Sequence, residues 1–397
     1  MHVLLLAILT FYGILSLSHF IFQMLIAHAN HRRQDKEKRK ELPEEFTYPS
    51  VSVIIPSYNE NPRYIKDCVE SILKQNYPND LGIFIADDGS KNIEQLQGIY
   101  HYYARKGCTL YLAEKNVGKR HVQKIGFDQC HGEIVVTVDS DTVIDVPYGV
   151  KNLVESFKDP TIGAATGNVT VINRYDNILT KLIELRYWTA FHQERAAQSF
   201  FGVVMCCSGP FAAYRKSLIE NVKEKYVSQC FLGKSCTFGD DRHLTNLILE
   251  QGYKVVFNKH AKSYTHVPNT LKRYLKQQNR WNKSFYREFF WTIKYLPKHH
   301  PFMAYDLIIS AILPFLLTFA LLVMLYQVII LGETHLILNY MSLLLGVAFL
   351  RSLYGYYRTG NREFFIFPIY ALMHIFLLIP NRVWAILTIN RTHWGTR

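Results

Sequence analysis

Residues 2–29 are apolar for more than 20 positions, enough for one helix to cross a hydrocarbon layer of ~30 Å. This run constrains the chain more than any other feature. Nothing basic precedes it, whereas Arg32, Arg33, Lys36, Lys38, Arg39 and Lys40 follow. A secretory leader carries its cations in front of the apolar core, so the run reads as an uncleaved anchor. Cations gather on the cytosolic side, which puts the N-terminus outside and the following residues inside. Three more apolar runs lie near the other end, at about 304–331, 336–350 and 364–388. Arg351, Arg358 and Arg362 stand between the last two, so that loop reads as cytosolic and Gly332-Glu333-Thr334-His335 as external.

Between these ends lies a mixed stretch with the pattern of a folded domain. Val51-Ser-Val-Ile-Ile55, Gly82-Ile-Phe-Ile-Ala86 and Ile134-Val-Val-Thr-Val138 read as buried strands, and Val69, Ile72 and Leu73 mark a helix after the first. Strands separated by helices imply a parallel α/β sheet with crossover connections. In such sheets ligands collect beyond the carboxyl ends of the strands. The second and third strands run there into Asp87-Asp88-Gly89 and Asp139-Ser140-Asp141. The segment from Leu271 to Lys298 is rich in aromatic and basic residues, a composition suited to helices at a membrane interface.

The formal net charge of +13 over 397 residues allows nucleic acid, anionic lipid or acidic small substrates as partners. The basic clusters flank apolar runs, and no basic-aromatic module of the RNA-binding kind is present, so the reading is a lipid bilayer and no nucleic acid. The seven cysteines show no zinc-ligand spacing, and Cys206-Cys207 are adjacent. They read as reduced thiols of a cytosolic domain.

Two carboxylates one residue apart at a strand end, Asp139 and Asp141, can bind Mg²⁺ or Mn²⁺ and leave coordination positions for a diphosphate. Such an ion neutralises charge on a departing diphosphate. Asp88 can face a uracil or ribose, although Asp-Gly also favours a plain turn. Gly118-Lys119-Arg120 offers two cations to a phosphate, or is a solvated basic loop. Gly239-Asp240-Asp241-Arg242 opens a helical pattern, where carboxylates also serve as dipole partners. A sugar transfer with inversion needs one further base to take the acceptor hydroxyl's proton, and Asp241 is the candidate. In Gln277-Gln278-Asn279-Arg280-Trp281 the indole can stack on a pyranose and the guanidinium can pair with diphosphate oxygens. An interfacial Trp/Arg belt has the same composition.

Taken in order, Asp87-Asp88-Gly89, Gly118-Lys119-Arg120, Asp139-Ser140-Asp141, Gly239-Asp240-Asp241 and Gln277-x-x-Arg280-Trp281 resemble the inverting, processive GT-A glycosyltransferases, the hyaluronan, chitin and cellulose synthases. The resemblance covers nearly the whole chain and implies a cytosolic GT-A domain with transmembrane and interface helices. It implies that Asp88, Lys119, Asp139 and Arg280 contact UDP and that Asp139 and Asp141 handle the metal. It also makes Asp241 the base and puts Trp281, with Gln277, under the acceptor at a channel mouth. The stretch from Tyr274 to Phe285, Glu194-Arg-Ala-Ala-Gln198, Cys207-Ser-Gly-Pro210 and Trp394-Gly-Thr-Arg397 are most similar to short bacterial hyaluronan synthases. By that likeness Cys207 lines the acceptor region beside Trp281, and Trp394 and Arg397 belong to a segment that closes over bound nucleotide. The expected activity is polymerisation of hyaluronan from UDP-GlcNAc and UDP-glucuronate at the plasma membrane, with the nascent polysaccharide exported by the same chain. The single leading span and Phe201-Gly-Val-Val-Met-Cys-Cys207 look more like rhizobial chitin-oligosaccharide synthases, which use UDP-GlcNAc only. A passive transporter would have no use for three carboxylate motifs at strand ends.

These readings divide the chain into an anchor (1–30), a basic linker (31–48), a GT-A domain (49–268), interface helices (269–300), C-terminal membrane helices (301–390) and a gating-like end (391–397). Three full crossings after the domain would leave Trp394 outside, away from a cytosolic site. The last apolar run is therefore expected not to be a simple crossing, with Pro380-Asn381-Arg382 breaking it and 383–389 forming an interface helix.

Overall fold

A computed structural model describes residues 2–40 and 46–392. The strands are β1 (Val51–Ser57), β2 (Leu81–Asp87), β3 (Thr109–Leu112), β4 (Ile134–Thr137), β5 (Thr142–Ile144), β6 (Ile162–Val171), β7 (Ala212–Arg215), β8 (Cys230–Phe231), β9 (Lys234–Ser235) and β10 (Lys254–Thr265). Eight form one sheet in the order β3-β2-β1-β4-β7-β6-β10-β5, and β8 and β9 form a separate hairpin. β1 is buried along its whole length, because Val53 and Ile55 pack with the Pro62–Leu73 helix on one face and Ile54 packs with Val122 and Phe127 on the other. A strand covered on both faces reads as a continuous apolar run, which is why the sequence exposed it.

The expectation of a parallel sheet holds for part of it. β3, β2, β1 and β4 are parallel neighbours. β7 runs antiparallel to both β4 and β6, and β5 antiparallel to β10. β7 is only four residues, Ala-Ala-Tyr-Arg, too short and too small in side chain to announce its direction through periodicity. The parallel half positions the site. Ser57 pairs with Asp87 and Ile54 with Thr137, so the residues following β1, β2 and β4 emerge along one sheet edge.

The N-terminal helix, His2–Lys38, is longer than its apolar run. Residues 31–38, expected as linker, are good helix formers and continue the helix. They also dock on the domain: Gln34 Nε2 donates to Phe257 O at 2.7 Å, Lys259 Nζ meets Asp35 Oδ2 at 2.7 Å and Lys38 Nζ meets Glu155 Oε2 at 2.9 Å. Among the described residues, four helical segments are long and apolar enough to cross a membrane: Ala7–Lys38, Phe302–Leu331, His335–Thr359 and Arg362–Leu387.

The last of these does not break at Pro380 as expected. A π-helical turn, His374–Leu378, precedes the Ile379–Leu387 helix, and Pro380 occupies its first turn. The missing N–H costs little there. The first half of this segment packs on the His335–Thr359 helix, and its last part, Ile379–Leu387, packs on the Leu271–Thr292 helix. Tyr370 and Tyr274 share a hydroxyl hydrogen bond at 3.0 Å, and Asn381 Nδ2 donates to Leu275 O at 3.0 Å. Its beginning is pinned by Arg174 to Glu363 at 2.6 Å. Just past its end, Arg287 Nε donates to Ile389 O at 3.0 Å.

Candidate active site

Asp88 is buried behind the sheet edge, and its carboxylate organises the next loop. Oδ1 accepts from Val117 N at 2.7 Å, and Oδ2 from Asn116 Nδ2 at 2.9 Å and Gly118 N at 3.0 Å. Burial raises its pKa, while the Val117 and Gly118 amides oppose the rise. Gly118 has φ of +99°, a conformation that suits glycine, and it begins the Lys119–Gln129 helix. The two cations that follow diverge. Lys119 Nζ turns to the site and meets Asp139 Oδ1 at 2.5 Å. Burial opposes its charge, but Asp139, Asp240 and Asp241 together hold its pKa above the ordinary lysine value. Arg120 turns inward, with Nε on Asp240 Oδ1 at 2.6 Å and its terminal nitrogens on Tyr226 O and Phe238 O.

That inward arginine decides between two adjacent carboxylates. Asp240 is buried and committed to Arg120, whereas Asp241 is half-buried and presented to the site. Asp241 Oδ1 accepts from Arg242 N at 2.8 Å, and Thr245 Oγ1 donates to Asp241 O at 2.7 Å. Both contacts fix the first turn of the Asp240–Glu250 helix.

Cys206 Sγ lies 3.6 Å from Asp241 Oδ2, and its pKa is pushed up to about 11, first by burial and then by Asp241. Cys207, expected beside Trp281, is instead wholly buried, with its amide donating to Thr245 Oγ1 at 2.9 Å. Neighbouring residues of an extended loop face opposite ways, and Cys206 is the one that faces Asp241. The same loop passes close to Asp139: a Cβ on Gly209 would lie 3.0 Å from Asp139 Oδ2.

Asp139 and Asp141 are both half-buried just beyond β4. Ser140 between them is buried, with its hydroxyl on Glu60 Oε2 at 2.6 Å, and Thr265 Oγ1 donates to Asp141 Oδ1 at 3.3 Å. Among the described residues no three His, Cys, Asp or Glu side chains form a closed metal cluster. Two carboxylates with open surface fit an ion whose shell is completed by substrate phosphate and water.

Trp281 is 44% exposed, with its ring centroid 6.5 Å from that of Tyr187. Tyr187 gave no signal in the sequence. It comes from the Ile178–Thr189 helix and lies within electrostatic reach of Asp141 and Asp139. Gln277 Oε1 is buried without a hydrogen-bond partner among the described residues. Arg280 sits one position before Trp281 on the same helix. Trp394 and Arg397 lie outside the described residues, but Arg287 holds Arg391 O at 3.1 Å, and Thr237 Oγ1 donates to Thr392 O. The chain just before them is thus beside the Gly239-Asp241 turn.

From Tyr187 toward the apolar helices lies a group of arginines. Arg186 NH1 meets Glu194 Oε1 at 2.8 Å. Arg186, Arg195 and Arg351 all act on Glu194, and they hold its pKa low against the opposing effect of burial. His374 lies within electrostatic reach of Arg382, Arg351 and Arg186. Arg351 Nε has no hydrogen-bond partner among the described residues. The nearby Asp306 is taken up by the amides of Gln23 and Gln198, each at 2.7 Å.

Known proteins share this architecture. The chain is 37% identical over 351 residues to an N-acetylglucosaminyltransferase of Mesorhizobium japonicum, covering 88% of this chain and 82% of that protein. It is 35% identical over 391 residues to a hyaluronan synthase of Streptococcus pyogenes, covering 97% and 90%. Among solved structures, a mannosyltransferase from Pyrobaculum calidifontis in complex with GDP-Man and Mn²⁺ matches with a TM-score of 0.58 at 21% identity, over 92% of this chain and 99% of that one. That likeness identifies the GT-A fold. The family model described as Glycosyltransferase like family 2 matches residues 49–284, and the chain belongs to that family: it is a membrane glycosyltransferase with a GT-A domain.

Proposed function

We propose that this enzyme polymerises hyaluronan from UDP-GlcNAc and UDP-glucuronate by inverting transfer at the cytosolic face of the plasma membrane and exports the chain through its own membrane helices. The observation that carries the acidic product is the arginine group beyond Tyr187. Charged side chains among membrane helices face the interior, pair, and mark substrate pathways. Arg351 and Arg382 come from the C-terminal helices and Arg186 and Arg195 from the domain beside them, and the four outnumber Glu184, Glu194 and Asp306. A chain bearing a carboxylate on every second sugar supplies the missing charge, and a neutral chain does not.

In this reading Asp88 shapes the loop that receives the nucleotide, and Lys119 and Arg280 face the diphosphate. Asp139 and Asp141 would hold Mg²⁺ or Mn²⁺, which when bound neutralises charge on the departing diphosphate. Trp281 and Tyr187 form the apolar floor for the acceptor sugar, and Gln277 Oε1 accepts from one of its hydroxyls. Asp241 takes the proton of the attacking hydroxyl as that oxygen bonds to the donor's anomeric carbon. The bond from that carbon to phosphate breaks, and UDP leaves with the electron pair. Trp394 and Arg397 are proposed to close over the nucleotide.

The second reading, a chitin or chitin-oligosaccharide synthase, draws on the similarity to N-acetylglucosaminyltransferases and on the single leading anchor. Purified enzyme given each donor alone and both together separates the two. Polymer that requires both donors and yields to hyaluronidase is expected. Long polymer from UDP-GlcNAc alone, digested by chitinase, would reject hyaluronan.

A further inference from the structure

Glu288 is buried, 3% exposed, on the Leu271–Thr292 helix, about two turns beyond Trp281. A buried carboxylate is costly unless donors meet it, and three do. His243 Nδ1 donates to Oε1 at 3.0 Å, Asn246 Nδ2 donates to Oε2 at 2.7 Å and Gln229 Nε2 donates to Oε1. Burial opposes the charge of Glu288, yet these donors hold its pKa below the ordinary value.

The donors come from the elements around the proposed base. His243 and Asn246 belong to the Asp240–Glu250 helix, and His243 is two residues after Asp241. Gln229 stands at the foot of the β8–β9 hairpin, with its carbonyl accepting from Cys236 N at 2.9 Å. From the far side, Tyr295 OH donates to Asn246 Oδ1 at 2.8 Å. One turn before Glu288 the same two helices touch again: a Cβ on Gly239 would collide with Ser284 Oγ. The two helices are therefore fixed in spacing by the glycine contact and in register by the carboxylate.

We propose that Glu288 is a positioning residue that locks the helix bearing Asp241 to the helix bearing Trp281, so that base and acceptor floor keep one register. This rests on the reading of Asp241 as base and Trp281 as acceptor contact. Of the proposed nucleotide contacts, Asp88, Lys119 and Asp139 on the sheet edge lie on other elements and do not touch Glu288, whereas Arg280 shares the helix of Glu288. Loosening the lock therefore leaves the three sheet-edge contacts to the donor in place and misaligns the acceptor. Water can then take the acceptor's place: its oxygen bonds to the anomeric carbon, the carbon–phosphate oxygen bond breaks, UDP leaves with the electron pair and the water's proton passes to Asp241. A displacement of ~1 Å costs transfer about 100-fold, whereas hydrolysis needs no aligned acceptor.

The test uses the full-length enzyme with labelled donors and measures UDP released per sugar incorporated. Glu288→Gln is expected to lower polymer synthesis roughly 10- to 100-fold, to change the donor KM by much less than that and to raise that ratio several-fold. The exchanged pair Q229E/E288Q, which moves the carboxylate to the partner position, is expected to bring the ratio back. Should Glu288→Gln not yield folded protein, Asn246→Ala removes one of the three donors and takes the same measurement. Polymer and UDP release falling in parallel, or neither changing, would overturn the proposal. Failure of the underlying reading shows separately, as sustained polymer synthesis by Asp241→Asn.

Discussion

Replacing Asp241 by Asn removes the proposed base and alters little else. The amide keeps Oδ1 for Arg242 N, now at 2.8 Å, and disturbs only the 3.6 Å thiol contact of Cys206 on the other oxygen. Because the side chain is half-buried, the structural cost should stay below ~1 kcal/mol. Lys119 loses one of three surrounding negative charges but keeps its 2.5 Å partner Asp139. Nucleotide affinity should then change by less than ~1 kcal/mol, or about fivefold. A positioned general base is worth roughly 10²- to 10⁴-fold in rate, equivalent to about 3–5 kcal/mol of barrier. The expected outcome is near-complete loss of polymer with UDP binding retained, read by UDP release, labelled-sugar incorporation and calorimetric titration of UDP on the same preparation. If UDP affinity falls as far as the rate, Asp241 holds the nucleotide or the fold. If polymer synthesis stays above a tenth of the unmutated enzyme, the proton goes elsewhere.

Thiol labelling gives a pH-dependent signature: exposed Cys230 should be alkylated first, while Cys206, with its pKa pushed up to about 11 by burial and by Asp241, is about one part in a thousand thiolate at pH 8 and should label about tenfold faster per pH unit above that. Mass spectrometry of peptides after timed alkylation checks this, and Cys206 labelling as fast as Cys230 at pH 8 would refute the geometry. A cysteine reporter added after Arg397 should resist a membrane-impermeant reagent on intact cells and react after permeabilisation; labelling of intact cells would put the C-terminus outside.

What the sequence disclosed and what it hid follow from how far each signal reaches along the chain. The sheet-edge positions of Asp88, Asp139 and Asp141 were readable because each follows a buried strand whose apolar run is local, and parallel pairing does the rest. Asp241 could be singled out as a candidate by chemistry. The physical reason it differs from Asp240 is Arg120, 120 residues away in sequence. The same holds for Cys206 over Cys207, where the two residues are equivalent by composition and only the path of the loop separates them. Tyr187 carries no local signal at all, because its meaning depends on the Leu271–Thr292 helix bringing Trp281 beside it. β7 reverses direction without any cue in four residues. Arg186, Arg195, Arg351 and Arg382 are scattered over almost half the chain, and their common neighbours Glu194 and His374 make them a group only in three dimensions.

The arrangement of the last apolar segment bears on all these roles, because a C-terminus across the membrane from the catalytic domain could not reach its site. By length and composition 362–387 can cross a membrane, but its contacts argue otherwise. Its first turn is held by Arg174 and Lys181 of the catalytic domain. Past its last turn, Arg287 holds the carbonyls of Ile389 and Arg391, and Thr237 holds that of Thr392. We propose that a segment that starts and finishes on the same domain, and packs its last turns on the Leu271–Thr292 helix, lies along the membrane face rather than through it. The crossings are then Ala7–Lys38, Phe302–Leu331 and His335–Thr359. On that proposal, an external N-terminus followed by three crossings would leave the C-terminal residues on the side of the catalytic domain. The π-helical turn at His374–Leu378 and Pro380 bend this segment without ending it, so it can follow the curve of the domain and deliver 389–392 to the turn that presents Asp241.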